Sequence, residues 1–297
     1  MSATTEPSSP TRPPQEAEIT CADADFLALM ASLRVDPVDE GTFVARPLDR
    51  GGVIDAGTLM ALVTAVAASP GDEVRSVHAD FFRPANPGHV VEIEVREVHR
   101  GRNLGIKIVT LAQAGRPLAQ GQVSSGPTVE DLLAHGLTVD TAGGPPVMTT
   151  RSLRYGSFVR VVGNVDPFDP ESTRPARWQV WVDCSAASGS GVSHRAFIAF
   201  HANQYLVSAA VLPHRGFSMQ QAHRGVLTVI TSSTVTFHRP VSGGWLLFDQ
   251  TSTYAGGGWI YGRGEAFGEN GELIASFSEA AIMRRAAPAS RASLKGT

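Results

Sequence analysis

Cysteine is almost missing from this chain of 297 residues: Cys21 and Cys184 are all it has, far apart and in no metal-ligand spacing. They read as two reduced thiols of a cytosolic protein, not as a disulfide framework. No Gly-x-Ser-x-Gly elbow occurs, neither cysteine carries a catalytic signature, and His-Glu-x-x-His for zinc is absent. The Gly-Gly pairs at 51–52, 143–144 and 243–244 form no phosphate loop. A net charge of −3 with no basic stripe removes any electrostatic reason to expect nucleic acid or an anionic membrane. The apolar run Ala56–Ser69 falls short of the about 20 residues that cross a bilayer. Any chemistry must use water and ordinary polar side chains, and no cofactor is expected.

What the sequence does contain is one strand-and-turn pattern written twice. Phe81, Arg83 and Pro84 recur as Phe237, Arg239 and Pro240, 156 residues on. The same shift carries Gly88 onto Gly244, Gly101 onto Gly257, Gly115 onto Gly271 and Ala119 onto Ala275 without a gap. These matches are mostly the residues that fix turns, so they report a repeated chain path. Solenoid repeats run at roughly 20–50 residues, and a period this long means two copies of a whole domain.

Copy one opens with a short helix at 26–30 and a strand at 42–45. The Ala56–Ser69 run follows, apolar on nearly every side, which marks a helix buried all round. Strands follow near 74–83, 90–98, 104–112 and 117–125. Copy two repeats the order, with a strand at 177–184, one helix over His194–Leu212 and strands near 227–238, 245–253, 259–267 and 272–283. The reading is an α+β layer, a curved antiparallel sheet around a central helix, made twice. Its divisions are a disordered tail at 1–20, a first domain at 21–126, a surface linker at 127–175, a second domain at 176–285 and a disordered tail at 286–297. The leading segment also lacks the continuous apolar stretch of a signal peptide.

Three residues stand out as chemistry. Alternation puts Glu279 on one face of the last strand with Leu273, Ala275, Phe277, Ala281 and Met283. Burial there raises a carboxyl pKa, the condition for acid or base work near neutrality; the plain alternative is a strand end turning out to solvent. Asn203 interrupts an apolar helix face of Ala199, Phe200, Leu206 and Val207, where its amide orients a bound group or joins helix to sheet. A hydroxyl from Thr231-Ser232-Ser233-Thr234 is the third, against the ordinary presence of such residues in strands. His201 shares its face with Gln204, Tyr205 and Ser208 and reads as a surface or interface residue. Asp55 reads as an N-cap, with a catalytic carboxylate as the alternative.

Several stretches together resemble the acyl-CoA thioesterase II, or TesB-like, family: Val77-His78-Ala79-Asp80-Phe81-Phe82-Arg83-Pro84, Phe237-His238-Arg239-Pro240 with Trp245-Leu246-Leu247, Val180-Trp181-Val182, Leu212-Pro213-His214 and Met283-Arg284. The resemblance covers about residues 25–285. It implies a double hot-dog fold and hydrolysis of acyl-CoA by a water held between a helix Asp, a strand Thr or Ser and a Gln on the last strand. Carried over, the Asp falls on Asn203, the Gln on Glu279 and the hydroxyl beside Thr231, with Thr228 a second possibility. Carboxylate and amide have exchanged places, so the base moves from helix to strand. The expected catalytic set is Asn203, Thr231 and Glu279 in the second half, Val123 standing where copy one would need its carboxylate. Acyl-CoA is the expected partner, in a cytoplasmic homo-oligomer that engages neither nucleic acid nor membrane. The alternatives are a non-catalytic acyl-thioester binder and a hot-dog enoyl-CoA hydratase.

Overall fold

The computed structural model describes residues 21–48, 54–141, 144, 150–151, 158–163, 165–171, 173–187, 190–222 and 225–285. The terminal tails and the Cys21 side chain lie outside the described residues. The first half runs α1 (Cys21–Ser32), β1 (Asp36–Asp39), β2 (Thr42–Ala45), α2 (Ala56–Val66), β3 (Glu73–Phe81), β4 (Val91–Arg100), β5 (Gly105–Gln113) and β6 (Arg116–Gly126). The second runs β9 (Arg177–Asp183), α3 (His194–Ala202), α4 (Leu206–Val211), α5 (Met219–Ala222), β10 (Val226–Phe237), β11 (Trp245–Gly256), β12 (Trp259–Phe267) and β13 (Leu273–Arg285). Between them lie β7 (Thr150–Arg151) and β8 (Phe158–Val161). The connection expected to be a plain surface linker therefore adds two strands, β8 pairing with β9 and β7 with β8.

Helix α2 starts where Asp55 accepts a hydrogen bond from the Thr58 amide at 2.8 Å, the N-cap role expected of it. Its apolar surface is covered on all sides: Leu59, Met60, Ala61, Leu62 and Val63 are buried. Each such large side chain contributes about 1.5–3 kcal/mol on leaving water. Cys184 is a free thiol whose burial pushes its pKa up to about 12, leaving it inert.

All thirteen strands form one antiparallel sheet in the order β1-β2-β4-β5-β6-β3-β10-β13-β12-β11-β9-β8-β7. The central part is symmetric, since β2-β4-β5-β6-β3 is mirrored by β9-β11-β12-β13-β10. The halves join edge to edge through β3 and β10, so neither domain leaves that edge unpaired. At the join Thr234 lies opposite His78, and these two are each other's repeat equivalents, 156 residues apart. The pseudo-twofold axis thus passes through this pair, whose side chains are hydrogen-bonded at 2.8 Å between His78 Nδ1 and Thr234 Oγ1.

One difference from the sequence reading shapes the rest. The single helix expected over His194–Leu212 is broken into α3 and α4 at Asn203-Gln204-Tyr205. Asn203 Nδ2 donates back to the Ala199 carbonyl at 2.8 Å, and the Asn203 backbone has φ −100° and ψ 17°. Such local bonding competes with the helical ladder. Of the expected core, Phe200 and Leu206 are buried, while Val207 is half-buried against Val211 and Met219.

Candidate active site

The sheet buries one face under the helices. Gly121 of β6 backs onto Val63 of α2, and Gly262 of β12 onto Leu206 of α4. On this inner face Glu279 of β13 lies between Ser233 of β10 and Gly262 of β12. It is 1% exposed, and burial pushes its pKa up to about 8 despite a hydrogen bond that favours the charged form. The sequence expectation of a carboxyl set into an apolar face holds in the geometry.

The bond comes from Gln250 of β11, whose Nε2 donates to Glu279 Oε2. Gln250 is itself 0% exposed. The two residues are separated by β12, and they meet because the facing positions there are Gly262, paired with Glu279, and Gly264, paired with Gln250. A Cβ on Gly262 would meet Leu206 Cδ1 at 2.4 Å, and one on Gly264 would meet Phe277 Cζ at 2.6 Å. The same Cβ atoms would meet the backbone oxygens of Thr251 at 2.7 Å and Asp249 at 2.6 Å, which cannot give way as side-chain ends can, so glycine is demanded at both.

Four buried polar atoms of this region have no hydrogen-bond partner among the described residues: Glu279 Oε1, Gln250 Oε1, Ser233 Oγ and Asn203 Oδ1. Leaving a buried polar group unpaired costs about 1–3 kcal/mol, so three such atoms on Glu279, on Gln250 bonded to it and on Ser233 opposite it mark a spot that calls for a polar partner. Asn203 carries its unpaired oxygen in the helix layer, three residues before the Leu206 that covers Gly262.

Thr231 is placed differently. It is the extra residue of a bulge in β10, between Ile230 opposite Ala281 and Ser232 opposite Ala280. Its hydroxyl donates to the Ala280 carbonyl at 3.1 Å, so its proton is committed to the sheet. Thr228 pairs with Met283, four residues along β13 from Glu279. The hydroxyl directly opposite Glu279 belongs to Ser233, which is buried.

His201 corrects the sequence reading, being 0% exposed instead of at the surface. Its Nδ1 is hydrogen-bonded to the Tyr205 hydroxyl at 2.8 Å, and its ring packs among Phe197, Phe200, Tyr205 and Phe248. Its polar neighbours misled because the helix layer packs against α2 and the sheet, and Gln204 at the break and Ser208 of α4 are buried too. Gln250 and Ser233 were missed although a signal existed. Gln250 alternates with Leu246 and Phe248 in β11, and Ser233 with Val235 and Phe237 in β10, the same parity that exposed Glu279.

Chemically, the group can move a proton near neutrality at Glu279 and can orient a small polar molecule with the Ser233 hydroxyl and the Asn203 amide. Among the described residues no three of His, Cys, Asp and Glu are grouped to hold a metal ion. Comparison with known proteins gives a context for this chemistry. The model of the acyl-CoA thioesterase N-terminal domain matches residues 44–126, and that of the acyl-CoA thioesterase C-terminal domain matches 131–283. Acyl-coenzyme A thioesterase 8 of Homo sapiens is 22% identical over 287 residues, covering 85% of this chain and 87% of its own. Among solved structures, a TesB protein of Mycobacterium avium subsp. paratuberculosis superposes with a TM-score of 0.67 at 21% identity, covering 87% of this chain and 99% of its own. A hot-dog protein of Alicyclobacillus acidocaldarius superposes with a TM-score of 0.68 at 17% identity, covering 88% and 99%. The fold is the double hot-dog.

Proposed function

The chain belongs to the acyl-CoA thioesterase family, and on that premise we propose that it hydrolyses acyl-CoA to a carboxylic acid and CoA by a water that Glu279 activates. The observation that carries the reading is the buried, raised-pKa carboxyl with unpaired polar atoms on itself, on its hydrogen-bond partner Gln250 and on Ser233 opposite. Ionised Glu279 accepts a proton from the water as its oxygen attacks the thioester carbonyl. The tetrahedral intermediate then expels the CoA sulfur, C–S cleaving as the thiolate gains a proton. Asn203 and the Ser233 hydroxyl orient the water; an amide and a hydroxyl direct it, and only the carboxylate can take its proton. Thr231, whose proton is held by Ala280, serves at most as an acceptor.

The exchange of carboxylate and amide relative to the family pattern favours a second reading, an acyl-thioester binder without turnover. A panel of short- to long-chain acyl-CoAs, with free thiol as the readout, decides between them. Hydrolysis of any member supports the enzyme; binding without thiol release across the whole panel establishes the binder. Asn203→Asp combined with Glu279→Gln restores the family arrangement and should recover part of the rate lost in Glu279→Gln alone. No helix among the described residues is long and apolar enough to cross a membrane. The same proposal has the protein act in the cytoplasm as a homo-oligomer, and light scattering that finds a strict monomer at high concentration overturns that last part.

A further inference from the structure

We infer that Gln250 is a positioning residue that sets the aim and the ionisation of the Glu279 carboxylate. The resemblance implies no site residue on β11, and the geometry brings Gln250 in. The two side chains are both buried, come from strands that are not neighbours, and reach each other across a strand made bare at two successive inner positions by Gly262 and Gly264. A buried amide that reaches over a neighbouring strand to one carboxylate oxygen does two things. It holds Oε2, which leaves Oε1 turned to the remaining unpaired groups, and it supplies a donor that favours the charged carboxylate over the acid.

The amide also fits both states of the carboxyl. With Glu279 ionised, Nε2 donates to Oε2. With Glu279 protonated, a half-turn of the amide presents Oε1, otherwise unpaired, to accept the carboxylic proton. Gln250 is thus suited to follow a proton on and off Glu279 during each cycle without moving its backbone.

The inference uses the hydrolase reading only for its rate measurement, and the test separates the two. Gln250→Met keeps the length and removes both hydrogen-bonding atoms. The inflection at which kcat/KM rises with pH should move upward, the rate at neutral pH falling about tenfold for each unit of that movement while the alkaline plateau is largely kept. Gln250→Glu, a second carboxyl beside the first, should move the inflection further in the same direction. The pH dependence of unfolding, taken as the difference from the matching Glu279→Gln variants, reads the ionisation of Glu279 without any turnover. An upward shift in that titration with no thiol release from any variant removes the hydrolase reading and leaves the role of Gln250 intact. An unchanged inflection in both rate and stability, in folded Gln250→Met, overturns the inference.

Discussion

The two halves of the molecule place different chemistry on one frame. In the first, Val77 and Val123 face each other across β3 and β6, both buried. In the second, their repeat equivalents Ser233 and Glu279 face each other across β10 and β13, equally buried. The neighbours on the far side differ too. Opposite Val123 stands Lys107, whose ammonium reaches the Ala67 carbonyl and Ser69 beyond the end of α2, whereas opposite Glu279 stands Gly262. The first row is a pair of valines; the second is a carboxyl and a hydroxyl beside close-packed glycines, with unpaired polar atoms on both side chains. A buried carboxyl costs several kcal/mol, and a domain of this size has only about 5–15 kcal/mol of net stability. Joining the sheets through β3 and β10 lets the half with the hydrocarbon pair support the half that carries the buried carboxyl.

The largest effect expected from blurring this difference is on rate. Glu279→Gln gives the second half an uncharged pair, and kcat/KM measured by thiol release should fall about 10²–10⁴-fold, the usual loss of a positioned base. A fall of less than threefold would end the assignment. The reverse change should damage folding. Val123→Glu puts a carboxyl where no glycine gap awaits it and where the Lys107 ammonium opposite is already held by Ala67 and Ser69, and a charge buried without a partner of its own costs about 3–5 kcal/mol. The urea midpoint of that variant should drop accordingly, and an unchanged midpoint would show that the first half also tolerates a buried acid.

Much of this contrast is legible in the sequence because strand parity is so regular. The 156-residue shift carries the Val77–Val123 pair of β3 and β6 onto Ser233–Glu279 of β10 and β13, although β12 falls two residues early against β5, and the side-chain period of two puts Glu279 among Ala275, Phe277 and Ala281. The helices were less legible. Nothing in the apolar pattern of His194–Leu212 announces the break at Asn203, which comes from a side chain bonding its own turn. His201 was misplaced because helical periodicity assumes one wet face, and α3 has none. Thr231 was singled out by counting along the chain, and counting fails at a bulge: the extra residue shifts every position before it relative to β13. The Gln250–Glu279 contact joins strands that are not adjacent, so no local pattern contains it.

Stability against pH sharpens the comparison further. The Glu279 carboxyl, ordinarily near 4.5, is raised to about 8 in the folded protein. Between those values the unfolded chain has lost a proton that the folded chain keeps, so this group's contribution to stability is complete below pH 4.5 and declines as pH rises, until it levels off above 8. The slope is about 1.4 kcal/mol per pH unit inside that window. Other carboxylates act in the opposite sense, so the measurement is the difference between wild type and Glu279→Gln. The variant should gain relative stability from pH 5 to pH 8, and parallel curves would mean that Glu279 titrates normally.

The smallest effect tests which hydroxyl completes the site. Ser233→Ala removes the buried Oγ opposite Glu279 and brings the row closer to the Val77–Val123 row of the first half, while Thr231→Ala removes a hydroxyl whose proton is already held by the Ala280 carbonyl. A hydrogen bond that helps to orient a water is worth about 0.5–1.5 kcal/mol, so Ser233→Ala should lower kcat about 3- to 10-fold with little change in Tm. Thr231→Ala should leave kcat nearly unchanged and cost stability instead, because the bulge loses its side-chain tie. Should Thr231→Ala slow turnover more than Ser233→Ala, the water lies against the bulge and not against the Glu279 pair. The second half would then owe its chemistry to the bulge in β10, whose counterpart in β3 carries Arg75 where β10 carries Thr231.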